Sequence, residues 1–421
     1  MADELANTLI KRLGSLKSQR STWESHWQEI ADFVVPRKAD VTKVRSAGDK
    51  RSELVFDGTA IHAAELLSSS LHGMLTNGST SWFSLRYSNE ELNSDDEAME
   101  WLQGVEDVMY KAFNRSNFQE QIHELYIDLV TFGTGVMFVE ADQEQQLRFS
   151  TRHIKECFLS EDEKGRVDTV FREFKMPVRA ALKRFEGANF GSKILKKAEK
   201  DPYEMIKLVH CVFQRDDRDI TKINSQNKPF ASIYVEPEEK IVLGESGFDE
   251  FPYCAPRYSK SSSEIGYGRS PSMTALSDIK MLNRMCEVTI RAAQKQVDPP
   301  LLVPDDGFLL PVRTVPGGLN FYRSGTRDRI EPLNIGANNP LGLNMEEQRR
   351  QAIRSAFYVD QLILGTGPQM TATEVVQRTQ EKMKLLGPLT GRLSQELLQP
   401  LITRSYNILE RQRAFKSAPE S

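Results

Sequence analysis

The sequence predicts an α+β protein that is predominantly helical. Three observations carry this. Apolar residues recur at spacings of three and four through the first third of the chain. Short β-type runs separated by turn residues fill the stretch from about 135 to 257. Helical spacing returns after Gly266 and lasts, with one insertion, to about Arg413.

The first third is read as helices. Leu5, Leu9, Leu13 and Leu16 form one stripe, and Trp23, Trp27 and Ile30 mark a second helix over about Ser21 to Phe33. RKADVTKVRSAGDKR follows, polar, basic and aperiodic, as an exposed loop. Such charge runs are ordinarily solvated; the sharper reading is contact with an acidic partner. Thr59 to Leu75 is helical, with a face of small residues (Ser68, Ser69, Ser70, Gly73) suited to close packing. The segment Glu90 to Asp107 holds eight acids and no base. Ser94 and Glu97 there fit a capping box for a helix through Met99, Leu102, Val105 and Met109, and first-turn acids suit the helix dipole. A further helix covers Asn117 to Val130.

After Phe132-Gly133-Thr134-Gly135 come VMFVEA, QLRFST, CFLSED, DTVFREF, IKLVHCVF, ASIYVE and KIVLG, a mostly antiparallel β region interrupted by one short helix near Val178 to Phe185. Ser270-Pro271 then starts a helix of about 26 residues, roughly 39 Å long, ended by Pro299-Pro300. Its apolar residues cover more than one face. Residues 297–340 hold seven prolines and read as a compact insertion. A helix capped by Asn344 follows, then a loop over 362–370. The last helix opens with the box Thr371-x-x-Glu374 and is interrupted by Gly387-Pro388 and Pro400.

Composition excludes several classes. With 421 residues the chain is long for one ordinary domain, and its 25 Gly and 19 Pro lack any period. Fifty-five Lys and Arg against 59 Asp and Glu give a net charge of -4, which argues against a basic nucleic-acid coat. No run approaches the roughly 18 apolar residues of a membrane helix, and the start lacks the basic and apolar regions of a signal peptide. Four scattered cysteines and six unclustered histidines give no zinc spacing, and reduced thiols in an intracellular protein are expected. There is no HExxH and no GxSxG. Gly365-Thr-Gly367 lacks the Lys of a phosphate loop, and Gly266-Tyr-Gly268 reads as a turn into a helix cap, because Pro271 breaks the nucleotide pattern. No catalytic residue, metal or cofactor is therefore assigned. The ordered series of long helix, insertion, return helix, loop and long kinked helix points to a structural or assembly protein.

Four stretches carry a family likeness: Trp23 to Pro36 (WESHWQEIADFVVP); Asp57 to Asn77 with Ser81 to Leu85; Gly266 to Pro271 with Asp298 to Pro304; and Met370 to Val375 with Gly387 to Pro400. In order and spacing the chain resembles the portal, or head-to-tail connector, proteins of short-tailed bacteriophages over about residues 1–413. The resemblance implies a ring, usually of twelve subunits, at a unique capsid vertex with double-stranded DNA passing through it. It implies a wing over 1–268, a first stem helix over 269–296, a clip over 297–340, a second stem helix over 341–358, a tunnel loop over 359–370 and a kinked wing helix over 371–421; the sequence departs from the family pattern at the C-terminus, where only AFKSAPES follows Arg413, so a minimal or absent crown is expected. Partners implied are the terminase motor, a tail adaptor, and the major capsid and scaffolding proteins, with no membrane. The location implied is the virion, with the host cytoplasm during assembly. Gln361, Thr366, Gln369 and Met370 would make neutral tunnel-loop contacts with DNA. The alternative is a loop buried between subunits. Lys280, Arg284, Arg291 and Lys295 would form a basic stripe towards DNA or the neighbouring stem, unless they form a solvated face or salt bridges between subunits. Arg313, Arg323, Arg327 and Arg329 would make clip contacts. The competing functions are another ring-forming head-tail adaptor and a packaging enzyme, the latter disfavoured by the missing phosphate loop.

Overall fold

The computed structural model describes every residue except 1, 47, 217, 220, 223, 303–330, 333–339, 363–385 and 419–421. Helix α1 (Ala2–Val34) is a single element where two were expected. The polar link between its apolar stripes stays helical because buried Arg20 finds carbonyl partners on the neighbouring segment, Ile154, Lys155 and Cys157, at 2.7–2.9 Å. Helices α2 (Thr59–Leu75), α3 (Asp96–Arg115) and α4 (Phe118–Phe132) follow. Asp95, one residue after the expected Ser94, caps α3 by accepting from the Glu97 amide. The small face of α2 meets α4 through Ser68, which is fully buried.

The β region comprises β1 (Met137–Asp142), β2 (Gln146–Thr151), β3 (Cys157–Glu161), β4 (Val167–Pro177), then helices α5 (Val178–Arg184) and α6 (Ser192–Lys200), then β5 (Met205–Gln214), β6 (Phe230–Glu236), β7 (Ile241–Phe248) and β8 (Tyr253–Cys254). Strands β3-β4-β5-β6-β7 form an antiparallel sheet in sequence order, and β2-β1-β8 form a smaller one. Strand alternation sorts the large sheet into two faces. Phe171, paired with Cys211, faces Leu9, Leu13 and Leu16 of α1. Phe174, paired with Leu208, faces Val178, Ala181 and Ile194 of α5 and α6. The main core gathers Trp27 and Ile30 of α1 with α2, α4, the small sheet and the helices after residue 270. Beside it His210 stacks on Tyr234 at 4.1 Å and bonds Ser232 at 2.9 Å, and burial lowers its pKa to about 3, so the ring is neutral. All four cysteines are free and buried.

The chain continues through α7 (Pro271–Val297), the paired strands β9 (Leu301–Leu302) and β10 (Glu331–Pro332), α8 (Pro340–Ala356), α9 (Val359–Leu362), α10 (Gly387–Leu393) and α11 (Gln399–Arg411). Asn344 thus lies inside α8 and does not cap it. Between α10 and α11 the helix widens into a π segment, Ser394–Leu398. Pro400 brings no N–H to the Glu396 carbonyl, and the turn before it relaxes to the wider repeat.

This segment is locked to the β region by buried charge. The Arg257 guanidinium meets both Glu396 oxygens at 2.7 and 3.1 Å, donates to the Gly165 carbonyl at 2.8 Å and pairs with buried Glu161. Lys260 completes the group at 2.5 Å from Glu161. Further along, Arg404 donates to the Val139 carbonyl at 2.8 Å; burial lowers its pKa to about 10, which leaves it charged at neutral pH.

Candidate functional site: the α7–α8 hairpin

The start of α7 is sewn to the end of α4. Ser270 accepts from the Met273 amide at 3.1 Å, as a helix cap does, and its hydroxyl donates to the Thr131 carbonyl at 2.8 Å. Ser272 donates to the Val130 carbonyl at 2.9 Å. Two glycine segments noticed in the sequence meet here. Gly133 has φ +79°, and a Cβ there would lie 2.3 Å from the Gly268 carbonyl oxygen. A Cβ on Gly268 would lie 2.5 Å from the Gly133 oxygen. The glycines therefore serve backbone contact and not phosphate binding.

The two halves of α7 differ. Met273, Leu276, Ile279 and Leu282 are buried in the main core, whereas every residue from Val288 to Asp298 is exposed. Val288 and Ile290 are 53% and 44% exposed and Val297 is 87% exposed, so the apolar residues that continue around the helix are about half or more open to solvent. Helix α8 packs along α7. Arg349 reaches Asp278 at 2.8 Å, Thr289 donates to buried Glu346 at 2.7 Å, and Ile353 and Phe357 enter the core.

A polar clasp holds the hairpin to the body. Asn283 accepts from the amides of Phe56 and Asp57 at 2.8 and 3.2 Å. Arg350 meets Asp57 at 3.0 Å and Glu346 at 3.4 Å. Burial would raise the Asp57 carboxyl, but the bonds from Thr59 and Arg350 hold it below the usual carboxylate range. The basic loop before Asp57 is fixed in turn by buried Gln28, whose carbonyl oxygen accepts from the amides of Val41, Thr42 and Lys43 at 2.9–3.2 Å. Lys43 and Arg51 pair with Asp32 and Asp40 at 2.6 and 2.7 Å, so much of that loop's charge is spent within the chain.

The four stem residues singled out from sequence lie on exposed parts of α7, but three of them have acidic partners. Arg284 and Arg291 both meet Glu287 at 2.6 Å, and Lys280 meets Glu29 of α1 at 3.2 Å. Lys295 makes no ion pair among the described residues. Glu287 was legible at helical spacing from both arginines, and the sequence reading passed over it.

Among the described residues no three His, Cys, Asp or Glu side chains are grouped to hold a metal ion, and no helix is long and apolar enough to cross a membrane. The model of the bacteriophage head to tail connecting protein family matches residues 6–421. The chain belongs to this family. It is 31% identical over 430 residues to the portal protein of Salmonella phage epsilon15, covering all of this chain and 77% of the relative. It is 31% identical over 410 residues to the probable portal protein of Bordetella phage BPP-1, covering 94% of this chain and 73% of that one. The portal protein of Enterobacteria phage T3 is 21% identical over 360 residues.

A head-to-tail connecting protein is structural, and the hairpin of this connector is exposed along the outer part of α7. Of its expected tunnel-loop residues, Gln361 is exposed on α9, while Thr366, Gln369 and Met370 lie outside the described residues. The clip residues Arg313, Arg323, Arg327 and Arg329 lie outside them as well. Sequence reasoning missed the Arg257 group and the Asp57–Arg350 clasp, because their members come from segments 96 to 293 residues apart.

Proposed function

We propose that this connector is the subunit of a portal ring, usually of twelve copies, at a unique capsid vertex, with double-stranded DNA entering through its centre during packaging and leaving during ejection. The observation that carries this reading is α7: a helix anchored in the core as far as Cys286 and exposed at every residue from Val288 to Asp298, apolar ones included. Exposed apolar surface of this kind marks a contact with neighbours, and a ring supplies identical ones.

In this reading residues 1–268 are the wing, 269–296 and 341–358 the stem, 297–340 the clip where the terminase motor and then the tail adaptor dock, 359–370 the tunnel loop, and 371–421 the kinked wing helix. The wing meets the major capsid and scaffolding proteins. Subunits assemble in the host cytoplasm and end in the virion. The portal carries out no covalent chemistry; its task is to let DNA slide. Each Lys or Arg that neutralises a phosphate adds affinity through released counterions. The Arg284–Glu287–Arg291 arrangement sets one carboxylate against two guanidiniums and so mutes the grip of the stem, which supports a sliding role. A subunit charge of -4, multiplied around a ring, acts in the same direction.

Electron microscopy of the purified chain tests the proposal. Negatively stained particles should average to rings with a central channel. A population that remains monomeric at all concentrations overturns it.

A further inference from the structure

We propose that neighbouring subunits meet through a charge-matched helix pair in the wing: the basic outer face of α6 on one copy against the acidic outer face of α3 on the next. The proposal rests on the ring reading above and names a contact within it.

Residues 178–200 contain seven Lys and Arg and two acids. On α6, Lys193, Lys196 and Lys200 fall at spacings of three and four, so they share one face. All three are exposed and none makes an ion pair among the described residues. Leu195 is 47% exposed beside them, with Tyr203 and Met205 uncovered nearby. The helix dipole favours Lys200 in the last turn, but it does not account for Lys193 or for three lysines on one face. A lysine in the first turn, as Lys193 is, opposes the positive helix N-terminus, and the three like charges repel one another.

The α3 face is its counterpart. Glu90, Glu91, Asp95, Asp96, Glu97, Glu100 and Asp107 are exposed, and none forms an ion pair among the described residues. The helix dipole accounts for Asp96 and Glu97 in the first turn, but its effect has faded by Glu100 and Asp107. Those two stand seven residues apart on one face, the same separation as Lys193 and Lys200, about 10.5 Å along either axis. Met99 is exposed beside Glu100 as Leu195 is beside Lys196. The two faces cannot satisfy each other within a chain built this way: α3 belongs to the main core, whereas α6 covers the far side of the large sheet with its own apolar cluster. Two unlike, complementary patches on separate parts of one subunit are what a head-to-tail ring contact requires.

The test is a charge swap read by native mass spectrometry and sedimentation. K193E/K200E and E100K/D107K should each raise the concentration needed for half-assembly at least tenfold. Combining the four substitutions should bring it back to within about threefold of the parent chain. The neutral variants K193Q/K200Q and E100Q/D107N should shift it in the same direction by less, which covers a reversal that disturbs folding. Rings that form normally in both reversed variants, or a combination without rescue, overturn this contact and leave the ring reading intact. A K193E/K200E ring that assembles normally but retains less linear DNA on a filter assigns the face to nucleic acid and also overturns it. A parent chain that never forms rings removes the ring reading and this contact together.

Discussion

The large sheet and the α7–α8 hairpin are built to different degrees of completion. The sheet is closed on both faces within the chain: α1 lays Leu9, Leu13 and Leu16 on one, and α5 and α6 cover the other. Its buried polar groups have partners, His210 among them. The hairpin leaves the core halfway along α7 and carries Val288, Ile290 and Val297 in the open. Where the sheet meets the C-terminal helix, charge is buried and fully paired around Arg257. Where the hairpin meets the body, Arg350 itself is a quarter exposed to water, although its partners Asp57 and Glu346 are largely buried. One region finishes its folding alone, and in the proposed ring the other would be covered by neighbouring copies.

The sharpest break on the completed side is Arg257→Ala. It leaves Glu161, which is 5% exposed, and Glu396 without their shared counter-charge, and only Lys260 and Arg392 remain close. Removing one member of a buried ion group costs roughly 3–5 kcal/mol. Chemical denaturation of the variant should show a loss of that size, with amide exchange rising first in the π segment. The same truncation at the clasp should matter less. Arg350→Ala removes charged hydrogen bonds that water partly screens, and the expected cost is about 1–2 kcal/mol. Exchange should quicken in α8 while β5 keeps its protection. A loss as large as that of Arg257→Ala would mean that the clasp, too, is part of the finished fold.

The same contrast explains what could be read in advance. Seven of the strands stood out as β-type runs because alternation and β-branched residues are local signals, and Ser270-Pro271 marked the start of α7 because caps are local chemistry. The single continuous α1 was not legible, since what keeps its polar middle helical is the carbonyl partners of Arg20 across 134 to 137 residues. Helix α6 was missed because its nine residues bury only Ile194. Asp95 lies next to Ser94, and only geometry distinguishes which side chain caps. The glycine contact joins Gly133 to Gly268, and neither sequence neighbourhood announces the other. The basic face of α7 was visible at helical spacing, and Glu287, three and four residues from Arg284 and Arg291, neutralises part of it.

The smallest effect on folding should come from the open end of the hairpin, and there the difference between the regions is measured most directly. Val288 and Ile290 are about half exposed in a single subunit, so the double substitution Val288→Ser and Ile290→Ser removes little surface that folding itself buries. Exposed positions of this kind usually change stability by no more than about 0.5 kcal/mol. Thermal unfolding of the monomeric fraction should therefore be nearly unchanged. In a ring, the same side chains would be covered by neighbouring stems, and each loses apolar burial there at roughly 25 cal/mol per Å². Because a closed ring repeats the interface in every subunit, that modest local loss is multiplied, and sedimentation should show a clear shift from rings towards smaller species. Unfolding that moves as much as assembly would place these residues in the folded core of the subunit, and the hairpin would then be as complete as the sheet.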